Sequence, residues 1–274
     1  MTDPTEAADL LWRFHEQIRL RDRDHAPTHV IEYDGPVRRA YPPDPAEEGA
    51  MIDSPEGLGP DPAAAVERQV AFFTARGQRV EWKTYSYDEP ADLPELLRAY
   101  GFVPEAEEAL LLGPAERVAQ PVEIADRYAV RAISADADTA QAEWEQVEAL
   151  DEAVFGEGGA AWSRLLRAEE QADPQHVRSV VAVDRDGGVV VGHAVLRLVV
   201  GTDVAGLWGG KVRADHRGRG LYRAMAGLRA RWAIDAGYSI CRVDALVTSR
   251  PILVRMGLSQ VATTTPYVLT PPRD

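Results

Sequence analysis

The stretch VRADHRGRGLYRAM (Val212–Met225) sets Gly218 and Gly220 among arginines, after an apolar run and before residues of helical periodicity. Main-chain N–H groups at a helix start have no partners within the helix, and the helix dipole favours negative charge there. Glycines let that backbone come close to a ligand. Strand, glycine loop and helix start together are the architecture of a phosphate site, and arginines add charge-assisted contacts to it. Lys211, Arg213, Arg217, Arg219, Arg223, Arg229 and Arg231 face only Asp215 along this segment. A solvated helix face is the plain reading of such a run. A site for one anionic ligand is the sharper reading.

Two familiar phosphate loops do not match. A dinucleotide fingerprint needs a third glycine and an acidic residue about 20 positions on, in a parallel unit. Here the third glycine is missing and antiparallel hairpins precede the loop. A Walker loop needs Gly-Lys-Ser/Thr after its glycines, which is absent.

The elements that must position the loop are legible from periodicity. A helix is expected from about Ala7 to Arg21, then two short strands around Asp34-Gly35-Pro36 and a mostly irregular stretch over 42–62. A helix over Pro62–Arg76 stops at Gly77, and strand VEWKTYSY, helix ADLPELLRAYG and a strand near EALLLG follow. Residues 114–126 read as a linker. Beyond it come strand YAVRAIS, helices over Asp136–Phe155 and Ala160–Gln171, and a hairpin turning at Asp186-Gly187-Gly188. A strand over Val204–Arg213, a helix from about Arg219 to Ala236, strand YSICRVDALV, helix RPILVRMG and a strand near TTPYVL complete the chain. Strand, helix, glycine-apolar pair and strand recur in both halves, with Gly101-Phe102 matching Gly257-Leu258. This points to duplication of one fold. The first copy has DSPEGLGPDPAAAV where the second has the arginine loop, so an anion site is expected only in the second.

The protein has 274 residues, 45% hydrophobic and 27% charged, with a net charge of −14. That balance argues against nucleic acid as a partner. Residues 1–120 hold 24 acidic and 12 basic side chains, so the acidity sits mostly in the first half. No apolar run approaches the roughly 18 residues needed to cross a bilayer, and the acidic start MTDPTEAADL is unlike a secretion signal. The expectation is a cytoplasmic protein with no membrane partner. One cysteine, Cys241, excludes an internal disulfide and a cysteine-rich zinc site, and no metal is expected.

The pattern V-x-[PA]-x-x-R-G-x-G at Val212, Ala214, Arg217, Gly218 and Gly220 resembles the acyl-CoA signature of the GNAT superfamily of N-acyltransferases. The order of elements over about 126–270 is similar to that family's, and S-x-x-I-L-x-x-x-G-L resembles its closing signature. The resemblance implies an α+β fold, a GNAT-like mixed sheet flanked by helices. Residues 1–113 resemble a shortened, degenerate GNAT-like half without a phosphate loop, as in mycothiol synthase-like tandem enzymes. The domains implied are 1–113, a linker over 114–126, and 127–274. The cofactor implied is acetyl-CoA as co-substrate, with no metal. Its diphosphate would meet the backbone of Arg217, Gly218, Arg219, Gly220, Leu221 and Tyr222. The pantetheine arm would pair along the strand ending at Lys211-Val212, which the family splays around a bulge; Gly209-Gly210 offers one.

The activity implied is N-acetyl transfer to a small amine. The alternative is a non-catalytic acyl-CoA-binding or regulatory protein, because the family's proton-transfer residues are missing. Its tyrosine position is Leu253, and the strand AGLWGGKV carries no carboxylate. Tyr222 replaces a usually small residue. The substitutes on offer are Ser249 and Tyr267, against a helix N-cap role for the first and edge packing for the second. His193 reads as an ordinary strand histidine, and His216 as support for the loop. Asp151, Glu152 and Glu157 suggest a cationic acceptor, although an acidic surface that keeps the chain soluble explains them more simply.

Overall fold

The computed structural model describes residues 4–21, 28–156 and 159–272. In chain order the elements are α1 (Pro4–Phe14), extended by a π turn at His15–Arg19, then β1 (Val30–Asp34), β2 (Val37–Tyr41), β3 (Ala50–Asp53) and α2 (Pro62–Arg76). Next are β4 (Val80–Tyr85), α3 (Leu93–Ala99), β5 (Val103–Pro104), β6 (Glu108–Pro114) and α4 (Ala115–Val118). There follow β7 (Tyr128–Ala132), α5 (Ala137–Phe155), α6 (Ala160–Ala172), β8 (Val177–Asp184), β9 (Val189–Leu198) and β10 (Val204–Val212). A 3-10 turn at Ala214–His216 leads to α7 (Leu221–Asp235), β11 (Ile240–Ala245), α8 (Arg250–Arg255) and β12 (Ser259–Leu269). Among the described residues, no helix is long and apolar enough to cross a membrane.

The chain forms two compact units that do not follow its order. Residues 1–110, 244–247 and 260–274 make the first, and 111–243 with 248–259 the second. The stretch 114–126, read as a linker, holds α4.

In the first unit the strands run β1-β2-β3-β4-β12, with β5 also on β12. The hairpin pairs Val30 with Tyr41 through Asp34 with Val37, around the turn that the sequence marks. Asp61 caps α2 by accepting from the Ala64 N–H at 3.0 Å, and Gly77, at φ 62°, ends it. The stretch 42–62, expected to be mostly irregular, contains β3. Its four residues, AMID, alternate in burial between antiparallel β2 and parallel β4. A strand this short amid Pro, Gly and acidic residues has no periodicity of its own to read. The core gathers Ile52, Phe73, Trp82, Leu97 and Phe102.

In the second unit the order is β11-β10-β9-β8-β7, antiparallel except for β10 with β11. Helix α7 covers one face, with Leu221 and Met225 against Val180, Ala182 and Ala194. Helix α5 covers the other, with Trp144 and Val147 against Val181 and Val183, and Leu166 of α6 packs on Val177 and Val195. Burial on both faces explains the near-continuous apolar run of β8.

Candidate functional site

Strand β10 pairs with β9 along its length but with β11 only at Val204, Ala205 and Gly206. Beyond Gly206 the two parallel strands part. The register of β10 on β9 shifts between Trp208 and Lys211, and Gly209 stands at φ 60°: the strand carries a bulge at Gly209-Gly210. Bare backbone is required there. A Cβ on Gly210 would lie 2.9 Å from Cε2 of Tyr222. On Gly209 it would meet Leu166 at 3.3 Å and the Trp162 indole nitrogen at 3.5 Å.

After β10 the chain turns through Ala214–His216 into the glycine loop. Gly218 and Gly220 adopt φ 74° and 81°, and Gly220 occupies the N-cap position of α7 without any side-chain cap. The first N–H of the helix with a main-chain acceptor is that of Ala224, which donates to Gly220 O. The N–H groups from Gly218 to Arg223 have no main-chain acceptor. They are the orphan donors that make a helix start an anion site.

The seven cations expected to cluster here separate. Arg217, Arg219 and Arg223 are exposed at the loop. Arg217 also donates through Nε to Val212 O at 3.1 Å, tying the loop to the end of β10, and Arg219 donates to Asp215 O at 3.3 Å. Arg213 is engaged with Asp215 at 2.8 Å, and Arg231 donates to Ala119 O at 3.1 Å. Lys211 and Arg229 are buried. The Lys211 ammonium pairs with Asp151 of α5 in the interior, and burial pulls its pKa below the ordinary lysine value despite that partner. Lys211 therefore offers a ligand its backbone and not its charge. Asp151 is equally withdrawn from any cationic acceptor, Glu152 is exposed, and Glu157 lies outside the described residues.

Arg229 donates to Met225 O, Val195 O and Trp208 O, at 3.2, 3.0 and 3.2 Å. It thereby holds the residue just before the bulge. Burial lowers its pKa to about 10, against the opposing influence of Tyr222 and Cys241.

His216 supports the loop, as its sequence context suggests. It is buried, with Nε2 2.6 Å from Arg213 Nη2 and Nδ1 3.0 Å from the Tyr128 hydroxyl. His193 is fully buried opposite Lys211, edge-on to Trp144 at 5.4 Å, and the surrounding protein drives its pKa well below 6.5. Cys241 is buried, with its thiol pushed up to about 12. Neither residue has the exposure that proton exchange with a substrate requires.

Of the two proposed substitutes, Tyr267 belongs to the first unit. It is buried in that unit's core, opposite Trp82 in register, with the Arg98 guanidinium 5.3 Å from its ring centroid. Ser249 stands at the N-cap position of α8 but makes no side-chain cap. Its hydroxyl instead hydrogen-bonds the phenol of Tyr222. Leu253 points into the core, 1% exposed.

Residues 143–252 match the model of the acetyltransferase (GNAT) family. These residues form a GNAT domain. A GCN5-related N-acetyltransferase from Kribbella flavida superposes over 100% of this chain and 97% of its own, at 17% identity and a TM-score of 0.66. A tandem GNAT protein from the clavulanic acid biosynthesis pathway covers 97% of each chain at 10% identity and a TM-score of 0.62. A GCN5-related N-acetyltransferase from Sphaerobacter thermophilus covers 100% of this chain and 96% of its own, at 16% identity and a TM-score of 0.63. At these identities the likeness is one of fold, and that fold, mixed sheet with flanking helices, extends over the whole chain. No curated protein matches the sequence.

Within the GNAT domain, two pairs are not legible in the sequence. Lys211 with Asp151, and Tyr222 with Ser249, are 60 and 27 residues apart in the chain. Each partner alone has an ordinary reading, so no local signal joins them.

Proposed function

We propose that the protein is an acetyl-CoA-dependent N-acetyltransferase acting on the amine of a small molecule. The observation that carries the reading is the run of unpartnered N–H groups from Gly218 to Arg223, beside a strand that has parted from its parallel neighbour. A diphosphate suits the first feature, because several open main-chain donors lie at a helix start that also carries three exposed arginines. A pantetheine amide chain suits the second, pairing with β10 as an added strand. The bulge would bring a thioester carbonyl to the N–H groups near Val212, which would stabilise the developing oxyanion.

The acceptor must arrive or become deprotonated, since an ordinary alkylamine is mostly protonated at neutral pH. Positioning the neutral amine against the thioester supplies much of the rate by itself. Asp151, paired with Lys211 in the interior, is not available to a cationic acceptor. The second reading, a non-catalytic acyl-CoA-binding protein, draws on the apolar, buried Leu253 at the family's tyrosine position.

Two measurements test the proposal together: calorimetric binding of CoA, and thiol release from acetyl-CoA across a panel of primary amines. Binding with turnover is expected. Binding without turnover on any amine would leave the second reading, and absence of binding would remove both.

A further inference from the structure

The phenol of Tyr222 lies against the bulge. Its Cε2 is 2.9 Å and its hydroxyl 3.5 Å from where a Cβ of Gly210 would stand. The hydroxyl is hydrogen-bonded by Ser249, which leads into α8 and spends no hydrogen bond on capping that helix. On the same helix as Tyr222, seven residues on, the buried Arg229 holds Trp208 O at the other side of the bulge. Among the described residues no carboxylate is paired with Arg229; the groups that act on its charge are Tyr222 and Cys241. Arg229 and the Ser249 hydrogen bond both favour a tyrosinate, while burial favours the phenol and raises the pKa overall. The remaining charged neighbour on β10, Lys211, turns to Asp151 of α5.

We propose that Tyr222 is the proton donor to the departing thiolate, with Ser249 as its relay and Arg229 as the buried charge that steadies the phenolate while it exists. The inference rests on the acyl-CoA reading above and deepens it. The amine nitrogen forms its bond to the thioester carbonyl carbon, and the carbon–sulfur bond breaks. The sulfur takes the proton of the Tyr222 hydroxyl. Tyr222 recovers a proton from the Ser249 hydroxyl, and Ser249 recovers the one that the acceptor nitrogen loses. The products are an amide and a neutral thiol, and the protein returns to its starting state. A phenol that is protonated at neutral pH suits a donor, and the nearby cation lowers the cost of its brief ionisation. Leu253 needs no hydroxyl in this arrangement, because α7 brings one to the bulge from a different position.

The test compares wild type, Tyr222→Phe and Ser249→Ala. The phenylalanine keeps the ring that packs on Gly210, so calorimetric CoA affinity should stay within about twofold. With CoA bound, ultraviolet titration of its thiol should show ionisation at lower pH in wild type than in Tyr222→Phe, because the hydroxyl donates to the thiolate. With acetyl-CoA and an amine that wild type acetylates, kcat should fall roughly 10²-fold in Tyr222→Phe and less in Ser249→Ala. Identical thiol titrations in wild type and Tyr222→Phe would overturn the inference even if no amine is turned over. So would an unchanged kcat, or a loss of CoA affinity that accounts for the whole defect. Failure of wild type to bind CoA would instead remove the acyl-CoA reading itself.

Discussion

Arg217 has two roles at once. Its Nε tethers the loop to Val212 O while the side chain stays exposed beside the unpartnered N–H groups. Arg217→Glu should therefore weaken CoA binding at least about tenfold, through lost contact and added repulsion, read by calorimetry. His193 has a different kind of consequence. The native protein holds it neutral because burial, Lys211 and Arg229 all oppose its charge. The unfolded chain takes up a proton there below its ordinary value of 6.5. Stability from this group is thus complete above that value and is lost as pH falls through it, by up to about 1.4 kcal/mol per pH unit. Urea unfolding at about pH 7.5 and about pH 5.5 should show this slope in wild type and a shallower one in His193→Met.

At the scale of elements, two helix starts occupy corresponding places. Strands β3 and β4 pair in parallel over three residue pairs, as do β10 and β11. Gly57 and Gly59 stand at φ 81° and 78°, close to the 74° and 81° of Gly218 and Gly220. The difference lies at the helix. Asp61 fills the start of α2 with its own carboxylate, whereas α7 begins at Gly220 with its donors open. Asp61→Ala should lower thermal stability by about 1 kcal/mol and leave CoA affinity untouched. Gly220→Ala should do both kinds of damage, since its φ is positive and its Cβ would sit 3.3 Å from Glu123 O.

For the whole molecule, the compact units are interleaved along the chain. The last strand, β12, pairs with β4 from Val80 to Tyr85 and also with β5. Tyr267 and Leu269 belong to the core of the first unit. A fragment of residues 1–113 lacks this strand and should fail to melt cooperatively. The same fragment with 260–272 joined to it should recover a cooperative transition by circular dichroism. The ends of α3 and α8 reinforce the sense of one pattern used twice. Phe102 N–H donates to Leu97 O at 3.0 Å and Leu258 N–H to Leu253 O at 3.2 Å, each past a glycine of positive φ.

Much of this was written locally. Glycine spacing, apolar periodicity and capping residues act over a few positions, so α2, the β8–β9 hairpin, the loop and α7 could be read from the sequence alone. The same locality explains the echo between the halves. Tertiary structure decided what depends on partners far along the chain. It turned Lys211 toward Asp151, withdrew Arg229 beneath the bulge, gave the Ser249 hydroxyl to Tyr222 in place of a cap, and assigned β12 to the unit that begins the chain. A side chain's charge or hydroxyl acts through whatever folding brings within a few ångströms, and one-dimensional spacing does not contain that distance.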